Sequence, residues 1–199
     1  PQWKVIKGGS RSYLEPLTQG FKQKIITGAD IIAVNRFDDE VSISFQDGRL
    51  EHFDEVIFAC HSDQALALLN DSSEQEQKIL GAMAYQSNEV VLHTDINLLP
   101  KIHLAWSSWN YWLRESVQSQ AVLTYNMNIL QGIDSNTTFC VTLNASDAID
   151  KSKIIQRFEY SHPVFTETSV ENCQHWHEIN GFNRTWYAGA YWGNGFHED

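Results

Sequence analysis

Short strand-like runs separated by polar loops are the feature that most constrains the fold of this chain. In its second half they occupy residues 89–93, 121–125, 138–143 and 154–158. Short runs that are rich in β-branched and aromatic residues, and are bounded by polar residues, are typical of strands. We therefore predict an α+β fold in which an antiparallel sheet is flanked by a few helices.

The beginning of the chain predicts a β-hairpin and one buried strand. Residues Ile31–Arg36 and 40–45 alternate between apolar and polar side chains, and Asp38 and Asp39 form the turn between them. Residues 53–59 are apolar almost without alternation, which is typical of a strand covered on both faces. Such a strand indicates a larger sheet than this chain alone supplies.

Helices are predicted around these strands. Ser10 is predicted to cap a helix that runs through Tyr13, Leu14, Leu17 and Phe21, whose spacing places the apolar groups on one face. Ser72 or Ser73, followed by acidic residues, marks the capped start of another helix that reaches Met83. Residues 163–176 form a further predicted helix. Its buried side is predicted to consist of Val164 or Phe165, Cys173 and Trp176.

Composition and charge exclude several classes of protein. The chain has 199 residues, 42% of them hydrophobic, which is enough for one domain or two small ones. Its net charge of −11 argues against a nucleic-acid partner, because such proteins carry clusters of basic residues. No apolar run approaches the ~20 residues of a membrane-spanning helix, and no signal peptide opens the sequence, so a cytoplasmic location is predicted. His175 and His177 are a close pair without a third ligand at compatible spacing, so no metal site is predicted.

Three segments, taken in order, resemble the flavin-containing amine oxidase superfamily. The first is Gly8-Gly-Ser-Arg-Ser-Tyr-Leu-Glu-Pro-Leu17, and the second runs from residue 26 through the hairpin to residue 59. The third, residues 187–199, is similar to the C-terminal flavin segment of those enzymes. The sequence is most similar to a bacterial branch of the superfamily described as predicted NAD/FAD-binding proteins. The segments that carry this similarity are residues 92–95, 106–111, 125–131 and 195–199.

The resemblance implies a division into three parts. Residues 1–60 would be a partial FAD-domain segment with the hairpin, residues 61–180 a substrate-binding domain, and residues 181–199 a C-terminal FAD-contact segment. The superfamily binds the ADP part of FAD through G-x-G-x-x-G between a strand and a helix, and this sequence lacks that motif. Because both ends look like interior sequence, we expect that the chain has been cut, that FAD belongs to an intact parent, and that this chain binds little or none.

The resemblance also implies the residues that would contact the cofactor. The backbone near Ile31 would meet the adenine. Residues along the ribityl chain or the flavin ring would be Gly189, Ala190, Gly195 and Phe196. His197 and Glu198 are candidates to replace an acidic residue that many relatives carry after the Ala-Gly pair, and the competing interpretation is that a cut terminus is disordered.

Aromatic residues are the candidate substrate-binding groups, since a flavin accepts the hydride and the protein supplies an apolar wall. The candidates are Trp106, Trp109, Tyr111, Tyr191 and Trp192. For the cluster over residues 106–112, ordinary burial in the core is the competing and preferred explanation.

The resulting hypothesis is the substrate-binding part of an FAD-dependent oxidoreductase. It would remove a hydride from a C–N or C–C bond of a small molecule, either an amine or an unsaturated apolar compound. The alternative is a non-catalytic domain that binds an apolar ligand or a protein partner through the Trp-rich segment. Loss of a cofactor domain would expose apolar surface. We expect two copies of the chain to associate through that surface, across residues 31–59.

Overall fold

The computed structural model describes residues 4–113 and 121–195. In this part of the chain the helices are α1 (Arg11–Thr18), α2 (Ser62–Leu68), α3 (Glu74–Leu80), α4 (Met127–Gln131) and α5 (Glu167–Cys173). The strands are β1 (Ile31–Arg36), β2 (Val41–Phe45), β3 (Leu50–Phe53), β4 (Val56–Phe58), β5 (Ala84–His93), β6 (Trp109–Tyr111), β7 (Leu123–Asn126), β8 (Cys140–Leu143), β9 (Ile154–Val164) and β10 (Thr185–Tyr187).

These strands form three sheets. β1, β2 and β3 make an antiparallel meander, β4 pairs in parallel with β10, and the third sheet has the order β6-β7-β8-β5-β9. The pairings of β5 with β8, β8 with β7, and β7 with β6 are antiparallel. The predicted α+β fold, with antiparallel sheets and a few helices, is confirmed.

The chain divides into two compact units. Unit 1 comprises Pro1–Ile25 and Ser87–Ser161, and unit 2 comprises Ile26–Gln86 and His162–Asp199. The chain therefore passes between the units three times: after Ile25, inside β5 and inside β9. The three-part division that the resemblance implies refers to function rather than to compactness, and it stays a prediction.

One apolar core holds together the hairpin, β4, β10 and the two helices α2 and α3 of unit 2. Its buried residues are Val34, Val41, Val56, Phe58, Ala65, Leu69, Ile79, Leu80, Ile179 and Tyr187. The start of α3 is fixed by a reciprocal cap, in which Ser73 Oγ accepts from Glu76 N at 3.2 Å and Glu76 Oε2 accepts from Ser73 N at 2.8 Å. Of the two predicted capping residues, Ser73 is the one that caps.

The single buried strand predicted over residues 53–59 is wrong. β3 ends at Phe53, and β4 begins at Val56 in another sheet, where Val56 N donates to Arg184 O. Ile57 of β4 is 68% exposed, so this strand is not covered on both faces. Polar Asp54 and Glu55 interrupt the apolar run, and the chain changes its pairing partner there.

The helix predicted over residues 163–176 is also wrong in extent. β9 continues to Val164, and α5 begins only after Thr166, whose side chain accepts from Ser169 N. Of the predicted buried side, Cys173 is buried, whereas Phe165 and Trp176 are exposed. A cap three residues after the predicted start therefore decided where the helix begins.

Candidate functional site

The five-stranded sheet buries a polar face. Its fully buried side chains include Asn126, Thr124, Thr142, His93 and Cys140. His93 Nδ1 accepts from Asp95 N at 3.0 Å, so Nε2 carries the proton and donates to Thr142 Oγ1 at 2.7 Å. Thr142 Oγ1 and Thr124 Oγ1 lie 2.8 Å apart and continue the chain of hydrogen bonds. Burial lowers the pKa of His93 and holds the imidazole neutral.

The opposite face of the same sheet is apolar, exposed at β6 and partly exposed over β7 and β8, and we call it the open face. Cross-strand pairing places its side chains in two rows: Trp109, Tyr125, Val141 and Leu92, and beside them Tyr111, Leu123, Leu143 and Val90. Trp109 is 56% exposed and Tyr111 is 62% exposed, although Val90 is buried. Apolar groups on an uncovered sheet face are typical of a surface that binds another molecule.

Strand β9 extends the open face with two aromatic rings. Arg157 Nη1 donates to Glu89 Oε1 at 2.6 Å, and Glu89 lies on the side of β5 that carries His93. Because side chains alternate along a strand, Phe158 and Tyr160 project from the other side. Their rings stack with centroids 5.5 Å apart.

A cavity of about 390 Å³ adjoins the open face at the β6 edge. Tyr111 and Trp112 line one part of it, and Lys101 with the preceding loop lines another. Asn110 also reaches the cavity, but its side-chain amide already donates to Ser107 O and Thr124 O. Lys101 is the charged residue among those that line this cavity.

In unit 2, a cleft of about 460 Å³ lies beside the C-terminal end of β10. Its lining consists of Ile57, Trp176, Asn180, Trp186, Tyr187, Ala188, Gly189 and Trp192. Trp192 Nε1 donates to Tyr187 O at 3.1 Å, and Trp186 Nε1 donates to Glu55 Oε2 at 2.9 Å. These bonds fix two indole rings at the cleft.

Tyr191 packs beneath this cleft. Its ring lies so close to Gly189 that a Cβ at position 189 would stand 2.7 Å from Tyr191 Cδ1. Gly189 has an extended backbone, with φ of 175°, so its lack of a side chain serves ring packing rather than a left-handed turn. Tyr191 is 4% exposed, and its Oη has no hydrogen-bond partner in the described part of the chain. Burial raises the pKa of this phenol.

The predicted cofactor residues fall into four groups. Gly189 and Ala190 follow β10, and Gly189 lines the cleft of unit 2. Ile31 begins β1 opposite Phe45 and does not line that cleft. Gly195 takes a left-handed φ of +83°. Phe196, His197 and Glu198 lie outside the described residues.

The predicted substrate residues are divided between the units. Trp109 and Tyr111 lie on the open face of unit 1, while Tyr191 and Trp192 lie at or beneath the cleft of unit 2. Trp106 is half-buried, and its Nε1 donates to Pro100 O at 2.8 Å. The preferred explanation for the cluster, ordinary core burial, is wrong for Trp109, Tyr111 and Trp112, which are all exposed.

Sequence reasoning missed a buried ionic network that joins the hairpin to β10. Arg36 forms an ion pair with Glu76, and its Nε also donates to Asp71 Oδ1 at 3.0 Å. Tyr187 Oη donates to Glu76 Oε1 at 2.7 Å. Burial opposes the charge on Glu76, but the hydrogen bonds from Arg36, Ser73 and Tyr187 outweigh it and lower the pKa of this carboxyl to about 2.

No family model matches the chain, and no curated protein matches it. Among solved structures, it is similar to a CLA-producing fatty acid isomerase from P. acnes, with a TM-score of 0.62, 17% identity, 91% of this chain covered and 47% of the other. It is also similar to putrescine oxidase bound to putrescine (TM-score 0.59, 8% identity, 92% and 47% covered). A third is cyclohexylamine oxidase from Brevibacterium oxydans (TM-score 0.56, 8% identity, 96% and 49% covered).

The chain spans about half the length of these solved structures. At such identities the likeness shows the fold alone: the chain shares its fold with part of a fatty acid isomerase and of two amine oxidases. None of the helices within residues 4–113 and 121–195 has the length and apolar character needed to cross a bilayer. Over the same residues, no three His, Cys, Asp or Glu side chains come together as a metal site.

Proposed function

We propose that this chain is the substrate-binding part of an FAD-dependent oxidoreductase that removes a hydride from a C–N or C–C bond of a small molecule. The observation that carries the proposal is the aromatic cleft beside Gly189. Four of its lining residues, Tyr187, Ala188, Gly189 and Trp192, belong to the segment whose sequence resembles the flavin segment of the superfamily, within a fold of the same kind. The intact parent would act in the cytoplasm.

The cleft fits the flat part of a flavin. Trp176, Trp186 and Trp192 line it together with the backbone segment from Tyr187 to Gly189, and the Tyr191 ring supports that segment at Gly189. The sequence lacks G-x-G-x-x-G, so the pyrophosphate would be held by a further part of the parent. FAD would supply the hydride acceptor, and Trp186 and Trp192 would orient it.

The open face supports the second half of the proposal. Trp109 and Tyr111 are the most exposed of its aromatic groups, and no side chain in its two rows is charged. Such a surface excludes water and orients a substrate by shape, which suits chemistry in which the cofactor takes the hydride. The same observation favours the second candidate, a non-catalytic domain that binds an apolar ligand.

Flavin binding by this chain tests the cleft. Titration of riboflavin and FAD, followed by flavin fluorescence anisotropy, should give weak and nearly equal affinities, because the chain holds the ring and lacks the phosphate motif. Trp186→Ala should weaken both roughly fivefold, since an aromatic stacking pair contributes about 1 kcal/mol. Trp109→Ala, on the open face, is the matched control and should leave flavin affinity unchanged.

Two results would contradict this assignment. Stoichiometric FAD that copurifies with the chain would contradict the claim that the pyrophosphate is held by a further part of the parent. An equal loss of flavin affinity in the Trp186→Ala and Trp109→Ala variants would contradict the claim that the flavin binds in the cleft. Anaerobic reduction of the full-length parent flavoprotein with a panel of amines and unsaturated lipids separates the two candidate functions. If the parent protein holds no flavin, the non-catalytic binding domain becomes the supported function.

A further inference from the structure

The chemistry of the open face limits what it can bind. Across five strands it presents Trp109, Tyr111, Leu123, Tyr125, Val141, Leu143, Val90, Leu92, Phe158 and Tyr160. None of these side chains carries a charge. A cationic ligand would lose hydration against this surface without gaining a carboxylate, which is unfavourable, whereas a hydrocarbon would lose only its contact with water.

Among the described residues, Lys101 is the one cation that lines the cavity at the β6 edge. Lys101 lines that cavity together with Tyr111, which belongs to the open face. Within residues 4–113 and 121–195, no carboxylate lies within 4.0 Å of Lys101 Nζ. A lysine that lines a cavity beside Tyr111 and Trp112, and has no carboxylate within 4.0 Å among the described residues, is placed to pair with an anionic ligand.

We propose that the open face and this cavity form a binding site for an elongated apolar carboxylic acid. The carboxylate pairs with Lys101, and the hydrocarbon crosses β6, β7 and β8 along Tyr111, Leu123 and Leu143, and ends at the buried Val90. Neighbouring strands lie ~4.8 Å apart, so these three strands offer a path of about 10 Å. The proposal deepens the proposed function and rests on it for the reaction, but binding itself requires no flavin.

Three probes with one chain length and different head groups test the proposal on the flavin-free chain. Decanoate, decanol and decylammonium are titrated by calorimetry below the concentrations at which they form micelles. Decanoate should bind most tightly and decylammonium most weakly. Lys101→Gln should weaken decanoate roughly fivefold, as expected for a partly exposed ion pair, and should leave decanol unchanged.

Matched variants separate the site from general surface effects. Lys151→Gln removes an exposed lysine of the same unit outside the cavity and should leave all three affinities unchanged. Tyr111→Ala should weaken all three probes, and Tyr111→Phe should restore them. Leu104→Ala, which truncates a 99% exposed apolar side chain outside the cavity lining, should have no effect.

Several outcomes would overturn the site. If the Lys101→Gln variant and the unaltered chain bind decanoate equally, Lys101 does not pair with the carboxylate. If decylammonium binds more tightly than decanoate, the site prefers cations and the proposed ligand class is wrong. A dimer in sedimentation that decanoate does not dissociate would assign the open face to a second copy. Because no flavin is present, none of these outcomes depends on the flavin titration, and failure of that titration leaves this site untouched.

Discussion

At the scale of single residues, the buried Arg36–Glu76 pair is the most demanding feature of the molecule. Both side chains are almost completely buried, and removing charges from water costs several kcal/mol per ion. Hydrogen bonds offset that cost: Tyr187 and Ser73 donate to Glu76, and Asp71 accepts from Arg36. The network therefore ties β1, α3 and β10 together only while every member is present.

We expect Glu76→Gln to lower the free energy of unfolding by about 3 kcal/mol, because it leaves the Arg36 guanidinium buried with only the half-exposed Asp71 as a charge partner. Urea unfolding monitored by circular dichroism measures the change. Glu51→Gln is the control, since its pair with Arg49 is partly exposed and should contribute less than about 1 kcal/mol. Equal losses in the two variants would contradict the role of burial.

The same carboxyl makes stability depend on pH. The pKa of Glu76 is lowered from 4.5 to about 2 on folding. Its contribution to the free energy of unfolding is therefore complete above pH 4.5 and is lost as the pH falls towards 2. In this window the carboxyl is protonated in the unfolded chain and still ionised in the folded chain. The unfolding free energy of the Glu76→Gln variant should fall less steeply over this window than that of the unaltered chain.

At the scale of elements, the segment after β10 is shaped by one close contact. The Tyr191 ring occupies the space that a side chain at position 189 would need. Cys173 Sγ on α5 lies 3.2 Å from Tyr191 O, and Met83 also packs against the ring. The turn that follows β10 is therefore held by packing from beneath, which leaves its other side to the cleft.

We expect Gly189→Ala to destabilise the chain by about 1–3 kcal/mol, as overpacking does. Tyr191→Ala alone should cost more, because it leaves a cavity. The double variant should cost at least about 1 kcal/mol less than the sum, since removal of the ring makes room for the methyl group. Gly20→Ala adds a methyl group in open space and is the control. If the losses of unfolding free energy in Gly189→Ala and Tyr191→Ala simply add in the double variant, the contact between the two residues is contradicted.

At the scale of the whole molecule, net charge and the open face act in opposite directions. The charge of −11 keeps copies apart at pH 7, and this repulsion vanishes near the pI of about 5.1. We expect the open face to associate under these conditions, because its side chains carry no charge that would oppose the contact. Acidic composition therefore makes an apolar sheet face tolerable at neutral pH.

Static light scattering should rise to a maximum near pH 5.1, where the net charge is zero. Tyr111→Lys should lower this maximum, because it places a charge on the open face. Gln131→Lys adds the same charge at an exposed position on α4, and should shift the maximum along the pH axis without lowering it. Equal effects of the two variants would show that net charge alone governs association.

Local chemistry is what the sequence by itself determined. The alternation of β1 and β2, the cap that begins α3, and the ordered segments that resemble the flavin-containing superfamily all depend on neighbouring residues. They need no information about distant contacts, because propensity and capping act within a few residues. The fold class followed from them.

Only the tertiary structure decided which side of each strand faces inward. In β7 and β8, Leu123 and Val141 alternate with Thr124 and Thr142, and the usual rule would bury the aliphatic set. The opposite arrangement holds, because hydrogen bonds satisfy the threonines across the strands and leave the apolar rows open. Alternation gives every strand two faces, and only packing between distant elements selects the buried one.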